Sequence, residues 1–161
     1  MSGSAAFFGL IFFFIIILIV FTILDKKIEI PSAPPEQYGR TSYTQTGYRV
    51  KSNAERLIAD YFTRKNIRYE YESPVVSKTH RHISRPDFYL PDYNVYIEYW
   101  GLINIDDEWK KKEYEKNMRW KMAQYYNNDI KFISIYPDNL KNFDMIFRWK
   151  FEDVTGTKLP N

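Results

Sequence analysis

Cysteine is absent from this sequence of 161 residues, and histidine occurs only twice. Without cysteine the chain forms no disulfide, holds no metal through thiolates and has no cysteine nucleophile. The chain also lacks a large excess of either charge, because 23 Lys and Arg against 20 Asp and Glu leave a net charge of only +3. This balance permits an anionic partner without requiring one. Aromatic residues reach 19%, which is typical of a packed domain and not of a disordered chain.

No charged side chain occurs between residues 5 and 24, whose sequence is AAFFGLIFFFIIILIVFTIL. A helix of about 20 residues rises roughly 30 Å, the hydrocarbon thickness of a bilayer. Neither a basic residue before this run nor a small-x-small site after it supports a cleaved signal peptide, so the sequence predicts an uncleaved membrane anchor. Lys26 and Lys27 follow directly, and the positive-inside rule places the N-terminus outside and the rest of the chain in the cytoplasm.

The remainder of the chain divides into a linker and one domain. Residues 25–50 contain Pro31, Pro34 and Pro35 without an apolar period, and predict a linker between the anchor at 1–24 and a domain at 51–161. The domain pattern predicts an α/β or α+β fold with a small mixed sheet. Its expected elements are a helix at 52–66, a strand at 67–76, a polar connection at 78–84, strands at 85–90 and 95–100, a helix at 108–126, a strand at 131–136, a turn at 137–139 and a helix at 139–151.

Two acids stand in an otherwise aromatic and β-branched stretch around the turn sequence PDYN at 91–94. If this turn closes a hairpin, Leu90 pairs with Val95, and Asp87 lies opposite Glu98 with the Cβ atoms about 4.5–5.5 Å apart. Two opposed carboxylates repel each other, and a divalent cation with a preference for oxygen ligands, Mg²⁺ or Mn²⁺, would compensate them. The alternative is an ordinary hairpin in which a register slip separates the acids or Lys or Arg pairs with them.

Three acidic residues occur in a definite order along the predicted elements: Glu55 on the first helix, Asp87 after Pro86, and Glu98 on the next strand. This set, within SNAERLIADYF, RPDFYLPDYNVYIEYWG and a Tyr-x-x-x-Met-x-x-Lys helix, resembles the PD-(D/E)XK nuclease superfamily over residues 51–140. The resemblance implies a restriction-endonuclease-like core, a small mixed β-sheet flanked by helices, here preceded by a single transmembrane helix.

The resemblance also implies the chemistry of the three acids. Asp87 and Glu98 would bind Mg²⁺ or Mn²⁺ together with the backbone carbonyl of Tyr99, and Glu55 would reach the site through water or a second metal ion. Such sites hydrolyse phosphodiesters and leave a 5′-phosphate and a 3′-hydroxyl. Glu55 has a structural interpretation as well, because residues 52–55 form a capping-box sequence at the helix start.

The family pattern has a lysine two residues after the glutamate, where this chain has Trp100. Lys121 on the following helix could replace that lysine, because it lies within an apolar stripe formed by Tyr114, Met118, Met122 and Tyr125. A core-facing ammonium needs a partner, since burying it unpaired is unfavourable, and the opposed acids would supply one. A lysine at the edge of the stripe that reaches solvent is the alternative. Gln124 and Tyr125 are weaker candidates for supporting the same site.

Basic side chains near these acids suit a phosphate backbone, which binds largely through charge. A solvated helix face explains any single one of them equally well. They are Arg81 and Arg85 before the first acid and Lys110, Lys111, Lys112, Lys116 and Arg119 on the long helix.

The sequence thus predicts a membrane-anchored, metal-dependent nuclease, with DNA a better candidate substrate than RNA. Two other functions stay open at this point. The missing motif lysine favours a degenerate nuclease fold that binds nucleic acid without cutting it. A membrane-tethered interaction module that keeps the fold as a scaffold is the third, because a fold does not fix a function.

Overall fold

The computed structural model of the protein describes residues 41–160, which belong to one compact unit. The predicted anchor at 5–24 lies outside the described residues. Within 41–160, no helix combines the length and the apolar character needed to cross a membrane. The helices are α1 (Asn53–Arg64), α2 (Glu108–Asn127) and α3 (Phe143–Thr155), with a 3-10 helix at Pro137–Asn142. The strands are β1 (Ser42–Tyr43), β2 (Arg49–Val50), β3 (Glu70–Tyr71), β4 (Val75–Val76), β5 (His82–Ser84), β6 (Phe88–Leu90), β7 (Val95–Tyr99) and β8 (Phe132–Ile135).

The central sheet has four strands in the order β3-β6-β7-β8. β6 is antiparallel to both of its neighbours, β3 and β7, and β8 runs parallel to β7. A parallel neighbour requires a crossover connection, which α2 provides. The predicted hairpin register is confirmed, because Leu90 pairs with Val95 and Phe88 with Ile97. The domain is therefore a mixed α+β fold, as the sequence pattern predicts.

One face of this sheet carries the hydrophobic core. Alternation along β6 and β7 turns Phe88, Leu90, Val95 and Ile97 to this face, where all four are fully buried. Helices α1 and α3 cover them, and the Phe62 ring of α1 lies 5.6 Å from the Phe88 ring. The residues next to Phe88 and Ile97 in register, Asp87 and Glu98, therefore belong to the opposite face of the sheet.

Helix α2 lies over that opposite face, held by a smaller cluster of buried residues. The cluster joins Val75, Ile83, Tyr125 and Phe132, from β4, β5, α2 and β8. Tyr125 is the one buried residue of α2, so most of the predicted apolar stripe on this helix is only partly buried. Much of α2 consequently contacts solvent, and the helix is positioned mainly by its C-terminal half.

Three predicted boundaries are wrong. The expected strand at 67–76 is two short strands, because Glu72 takes a positive φ of 51° and Pro74 lacks the N–H that a ladder needs. The expected connection at 78–84 contains β5, which pairs with β4. Residues 42–50, assigned to the linker, form the β1–β2 hairpin, which packs against α1 through a 2.7 Å bond from the backbone N–H of Gln45 to Asp60 Oδ1.

The C-terminal part departs less from the expectation. The turn predicted at 137–139 is the start of the 3-10 helix at Pro137–Asn142, and the final helix is α3, which ends at Thr155 instead of residue 151. Gly156 follows in the left-handed conformation with φ 73°, which glycine adopts at little energetic cost. Its N–H bonds to the Glu152 carbonyl and so closes the last turn.

Candidate functional site

Asp87 and Glu98 approach each other at the end of the β6–β7 ladder. Asp87 directly precedes Phe88, the first residue of β6, and Glu98 directly follows Ile97, the residue of β7 that pairs with Phe88. The Glu98 carboxylate raises the pKa of Asp87, so the two groups lie close enough to interact. The backbone N–H of Tyr99 donates a 2.6 Å hydrogen bond to Asp87 Oδ2. This cross-strand bond fixes the Asp87 carboxylate over the end of the sheet.

The environment of Asp87 disfavours its charge. Burial raises the pKa of the Asp87 carboxyl well above its usual range, and the neighbouring carboxylates of Glu98 and Glu55 raise it further. The Tyr99 N–H and the Lys121 ammonium act in the opposite direction and offset only part of the effect. Three acids thus share one electrostatic neighbourhood, which is the condition that a bound cation relieves.

Glu98 is almost completely buried, at 2% exposure, and is held from α2 by two side chains. The Lys121 ammonium lies 2.9 Å from Glu98 Oε1 and 3.1 Å from Oε2. The Tyr125 hydroxyl donates to Oε1 at 2.5 Å and also contacts the hydroxyl of Ser84. The expected contact between Lys121 and the acidic pair is therefore present at Glu98, while its role in catalysis stays a prediction. Tyr125 both packs in the core and supports Glu98.

Trp100 occupies the position of the motif lysine for a structural reason. Its indole is buried, its Nε1 donates to Ser134 Oγ at 2.9 Å, and its backbone N–H donates to the Ile135 carbonyl at 2.8 Å. The Lys121 ammonium lies 5.5 Å from the centre of the Trp100 ring, within the range of a cation–π contact. Trp100 therefore forms the surface beside which Lys121 extends to Glu98.

Glu55 takes part in a capping arrangement at the start of α1. Its N–H donates to Ser52 Oγ at 3.1 Å, and its Oε1 accepts from that hydroxyl at 2.7 Å. Its Oε2 accepts from the backbone N–H of Lys51 at 3.1 Å and from the Tyr71 hydroxyl at 2.5 Å. The reciprocal backbone bond thus comes from Lys51, one residue earlier than in the standard capping box. Since Glu55 also raises the pKa of Asp87, the capping role does not remove it from the site.

The donor set fits a small divalent cation in part. Two carboxylates on one sheet face, Asp87 and Glu98, offer the hard oxygen ligands that Mg²⁺ and Mn²⁺ prefer. The Tyr99 N–H engages Oδ2 of Asp87 and leaves Oδ1 for a metal ion. Among residues 41–160, no group of three or more Asp, Glu or His side chains stands ready to enclose a metal ion. The remaining ligands would have to be the Tyr99 carbonyl and water, as Mg²⁺ sites commonly retain several waters.

The basic residues predicted to bind a phosphate backbone take no part in the described hydrogen bonds and ion pairs of Asp87, Glu98 and Glu55. Arg85, two residues before Asp87, donates to the Glu72 carbonyl at 3.3 Å and stays exposed. Lys112, Lys116 and Arg119 lie about 140–180° around α2 from Lys121 and are exposed, so they face away from the acids. The others are Arg81, exposed at the end of the β4–β5 turn, Lys110, which pairs with Asp107 at 3.3 Å, and the partly buried Lys111. Gln124 contributes a backbone carbonyl to Asn128.

Three contributors were missed from the sequence. Ser84 lies in the segment assigned to a polar connection, Tyr71 in an ordinary strand pattern, and Ser134 in an apolar strand. Each contacts a residue 16–41 positions away: Tyr71 with Glu55, Trp100 with Ser134, and Ser84 with Tyr125. No local motif marks them, because their role depends on which strands become neighbours.

Replacing Tyr125 with phenylalanine is expected to destabilise the domain by about 2 kcal/mol. The buried Glu98 carboxylate loses one donor and Ser84 loses its partner, and hydrogen bonds to charged groups contribute about 1.5–3 kcal/mol. Urea unfolding would measure this. Tyr126→Phe is the matched control, because Tyr126 is the next residue on α2 and is 68% exposed. Equal stability of the two variants would contradict the support assigned to Tyr125.

Comparison of the chain with models of protein families, with curated proteins and with solved structures gave no match. The geometry of the acids and of Lys121 is therefore the basis for assigning a function.

Proposed function

We propose that this protein is a membrane-anchored, metal-dependent nuclease that hydrolyses phosphodiester bonds of nucleic acid, with DNA as the preferred substrate. The observation that carries the proposal is the neighbouring carboxylates of Asp87 and Glu98, next to the Phe88–Ile97 pair, with an ammonium from a different element bound to Glu98. A carboxylate pair with an adjacent lysine is the residue set that the PD-(D/E)XK pattern requires. Here the lysine comes from α2 and not from β7.

The order of the elements supports the same family. Along the chain a helix (α1), the sheet strands β3, β6 and β7, a crossover helix (α2) and a parallel strand (β8) occur in this order, with the separate β4–β5 hairpin inserted between β3 and β6. This order agrees with the restriction-endonuclease-like core that the sequence resemblance implies. The acids lie at the end of the β6–β7 pair, and Glu55 lies at the start of α1, as that resemblance requires.

Each polar residue of the site would have a distinct role. A Mg²⁺ or Mn²⁺ ion held by Asp87 and Glu98 would activate a water molecule and neutralise charge on the phosphate. The Tyr99 N–H orients Asp87, and the Tyr125 hydroxyl orients Glu98. Lys121, with about a quarter of its side chain exposed, can turn its ammonium toward a phosphate oxygen and stabilise charge that develops there.

The predicted anchor at residues 5–24 would confine this activity to the membrane surface. Tethering raises the effective concentration of the domain for substrates near the bilayer. Lys26 and Lys27 would hold the domain on the cytoplasmic side under the positive-inside rule. Digestion of the domain by protease added outside intact cells would contradict this orientation.

A second candidate is a nucleic-acid-binding protein that does not cut. The specific observation in its favour is that Lys121 binds both oxygens of Glu98, which reduces the capacity of that carboxylate to bind a metal ion. Such a protein would keep the exposed basic side chains for phosphate contacts and would bind with a strong dependence on salt.

The two candidates differ in one assay on the purified full-length chain in detergent. End-labelled single-stranded and duplex DNA is incubated with Mg²⁺, with Mn²⁺ and with EDTA, and the fragments are separated on a gel. We expect cleavage with either metal ion and none with EDTA. Salt-sensitive binding without cleavage would support the second candidate. If the protein neither binds nor cleaves DNA, the membrane-tethered interaction module is favoured.

A further inference from the structure

A cavity of about 590 Å³ lies between β2, the C-terminal end of α1 and the β3 edge of the sheet. Its volume is within the range of pockets that bind small organic ligands. Aromatic and cationic side chains form half of the lining, namely Tyr48, Tyr69, Tyr71, Arg49 and Arg68. We call this cavity the tyrosine-arginine groove.

The charge of the tyrosine-arginine groove favours an anion. Two arginines line it, and no aspartate or glutamate of the described residues does. Arg68 is positioned by Asp92 at 2.9 Å, yet about two thirds of its side chain stays exposed. Arg49 has a long, weak contact of 3.5 Å to Thr41 Oγ1. Both guanidinium groups can therefore reach a phosphate, which arginine binds with two parallel hydrogen bonds.

The aromatic side chains of the groove differ in packing and exposure. Tyr69 and Tyr71 pack against the Phe88 ring at 5.7 and 5.6 Å between centroids and form a fixed wall. Tyr48, on the turn of the β1–β2 hairpin, is 71% exposed and has no ring partner among the described aromatic pairs. An exposed tyrosine near arginines is the combination that stacks a nucleobase and holds its phosphate.

We propose that the tyrosine-arginine groove binds a nucleotide, with its base stacked on Tyr48 and its phosphate held by Arg49 and Arg68. Tyr71 links the groove to the candidate site, because it lines the groove and donates its hydroxyl to Glu55. The nucleotide then belongs to a single strand that continues from the groove toward Asp87. This last step rests on the proposed nuclease function, whereas the binding of a nucleotide does not.

The test measures binding without cleavage. Fluorescence anisotropy of a labelled single-stranded oligonucleotide of about 12 nucleotides is followed with the full-length chain in detergent and EDTA. Tyr48→Ala is expected to weaken binding about tenfold, which is within the effect of losing one stacked base. Arg49→Ala is expected to weaken it and to reduce the slope of log affinity against log salt by about 1.

Matched controls exist on the same elements. Tyr43→Ala changes a tyrosine of the same hairpin that is 65% exposed and does not line the groove. Arg64→Ala changes an exposed arginine at the end of α1, also outside the lining. Both controls should bind like the unmodified chain. Urea unfolding of all four variants identifies any that fail to fold, and intact Tyr48→Ala protein that binds normally overturns the proposal.

Unlabelled competitors separate the two possible sources of the nucleotide. If the groove binds part of a strand, an oligonucleotide competes at far lower concentration than the free mononucleotide dAMP. If dAMP competes at the same concentration as the oligonucleotide, the groove binds a nucleotide, but the proposal that this nucleotide belongs to a strand is overturned. Because the measurement is made in EDTA, loss of binding in Tyr48→Ala supports the groove even if the metal-dependent cleavage assay fails. If Tyr48→Ala and Arg49→Ala both cleave DNA and bind it like the unmodified chain, nucleotide binding by the groove is overturned and the nuclease assignment stays intact.

Discussion

Asp87→Asn is expected to abolish metal-dependent cleavage and, at the same time, to stabilise the domain at neutral pH. The substitution removes one of the two opposed carboxylates that would hold the metal ion. Changes outside the metal ligands already reduce affinity or activity by 10–100-fold, so loss of a ligand should reduce cleavage by more than about 100-fold. The asparagine Oδ1 can still accept the Tyr99 N–H, so the hairpin keeps its cross-strand bond.

The gain in stability follows from the direction of the pKa shift of Asp87. The folded state raises this pKa above that of the unfolded chain, about 3.9. Between the two values the folded protein binds more protons than the unfolded chain, so the free energy of unfolding falls as pH rises. Above the folded pKa the full unfavourable contribution is present. The neutral asparagine makes no such contribution, so the variant should gain stability near pH 8 and lose that advantage near pH 4.

Urea unfolding in EDTA between pH 4 and pH 8 measures this difference, and the gel assay measures cleavage in parallel. Asp138→Asn is the matched control, because Asp138 is 76% exposed and pairs with Lys141 outside the site. It should change neither cleavage nor the pH dependence. Cleavage by Asp87→Asn at the unmodified rate would exclude Asp87 from the metal site, and a pH-independent stability difference would contradict its electrostatic environment.

Lys121→Ala is expected to reduce cleavage by about 100-fold or more and to destabilise the domain by about 2 kcal/mol. Removal of one preorganised donor from an enzyme site costs about 10²–10³ in rate. The stability effect arises because Glu98 stays buried with Tyr125 as its remaining side-chain donor. Breaking a fully buried pair costs about 3–5 kcal/mol, and the partial exposure of Lys121 reduces that figure.

A second substitution separates the two effects of Lys121→Ala. In the double variant Glu98→Gln with Lys121→Ala, the buried charge is gone, so most of the lost stability should return while cleavage stays absent. Lys121→Arg keeps the cation and should retain part of the activity. Lys116→Ala, on the exposed side of α2, is the control. Full cleavage by stable Lys121→Ala protein would exclude Lys121 from the mechanism. No other residue would then be identified to replace the lysine that the family pattern has at the position of Trp100.

The hairpin shows why part of the site could be predicted from the sequence. A strand has a period of two residues, and a short turn fixes the register, so the positions of the turn and of the apolar residues determine which residues oppose each other. The pairings of Leu90 with Val95 and of Phe88 with Ile97 agree, and they end one residue before Asp87 and Glu98. The contact of Lys121 with the acids followed from its place on a helix face, since a buried ammonium requires a partner.

The supporting residues could not be predicted in this way. Trp100 is anchored by Ser134, 34 positions later, and Tyr125 contacts Ser84, 41 positions earlier. Both contacts exist because β8 joins the sheet beside β7 and because the β4–β5 hairpin packs under α2. The sequence marks β4 and β5 poorly, since they have only two and three residues and follow a positive φ at Glu72.

By itself the sequence determined the apolar run at 5–24, the mixed α+β class and the β6–β7 register that brings Asp87 near Glu98. These depend on composition, on short-range periodicity and on one turn, all of which are local properties of the chain. The tertiary structure alone decided that Lys121 binds both oxygens of Glu98 beside the Trp100 ring, that Glu55 is held by Tyr71, and that a groove opens next to them. Such contacts join distant residues, and the packing of helices against the sheet selects them.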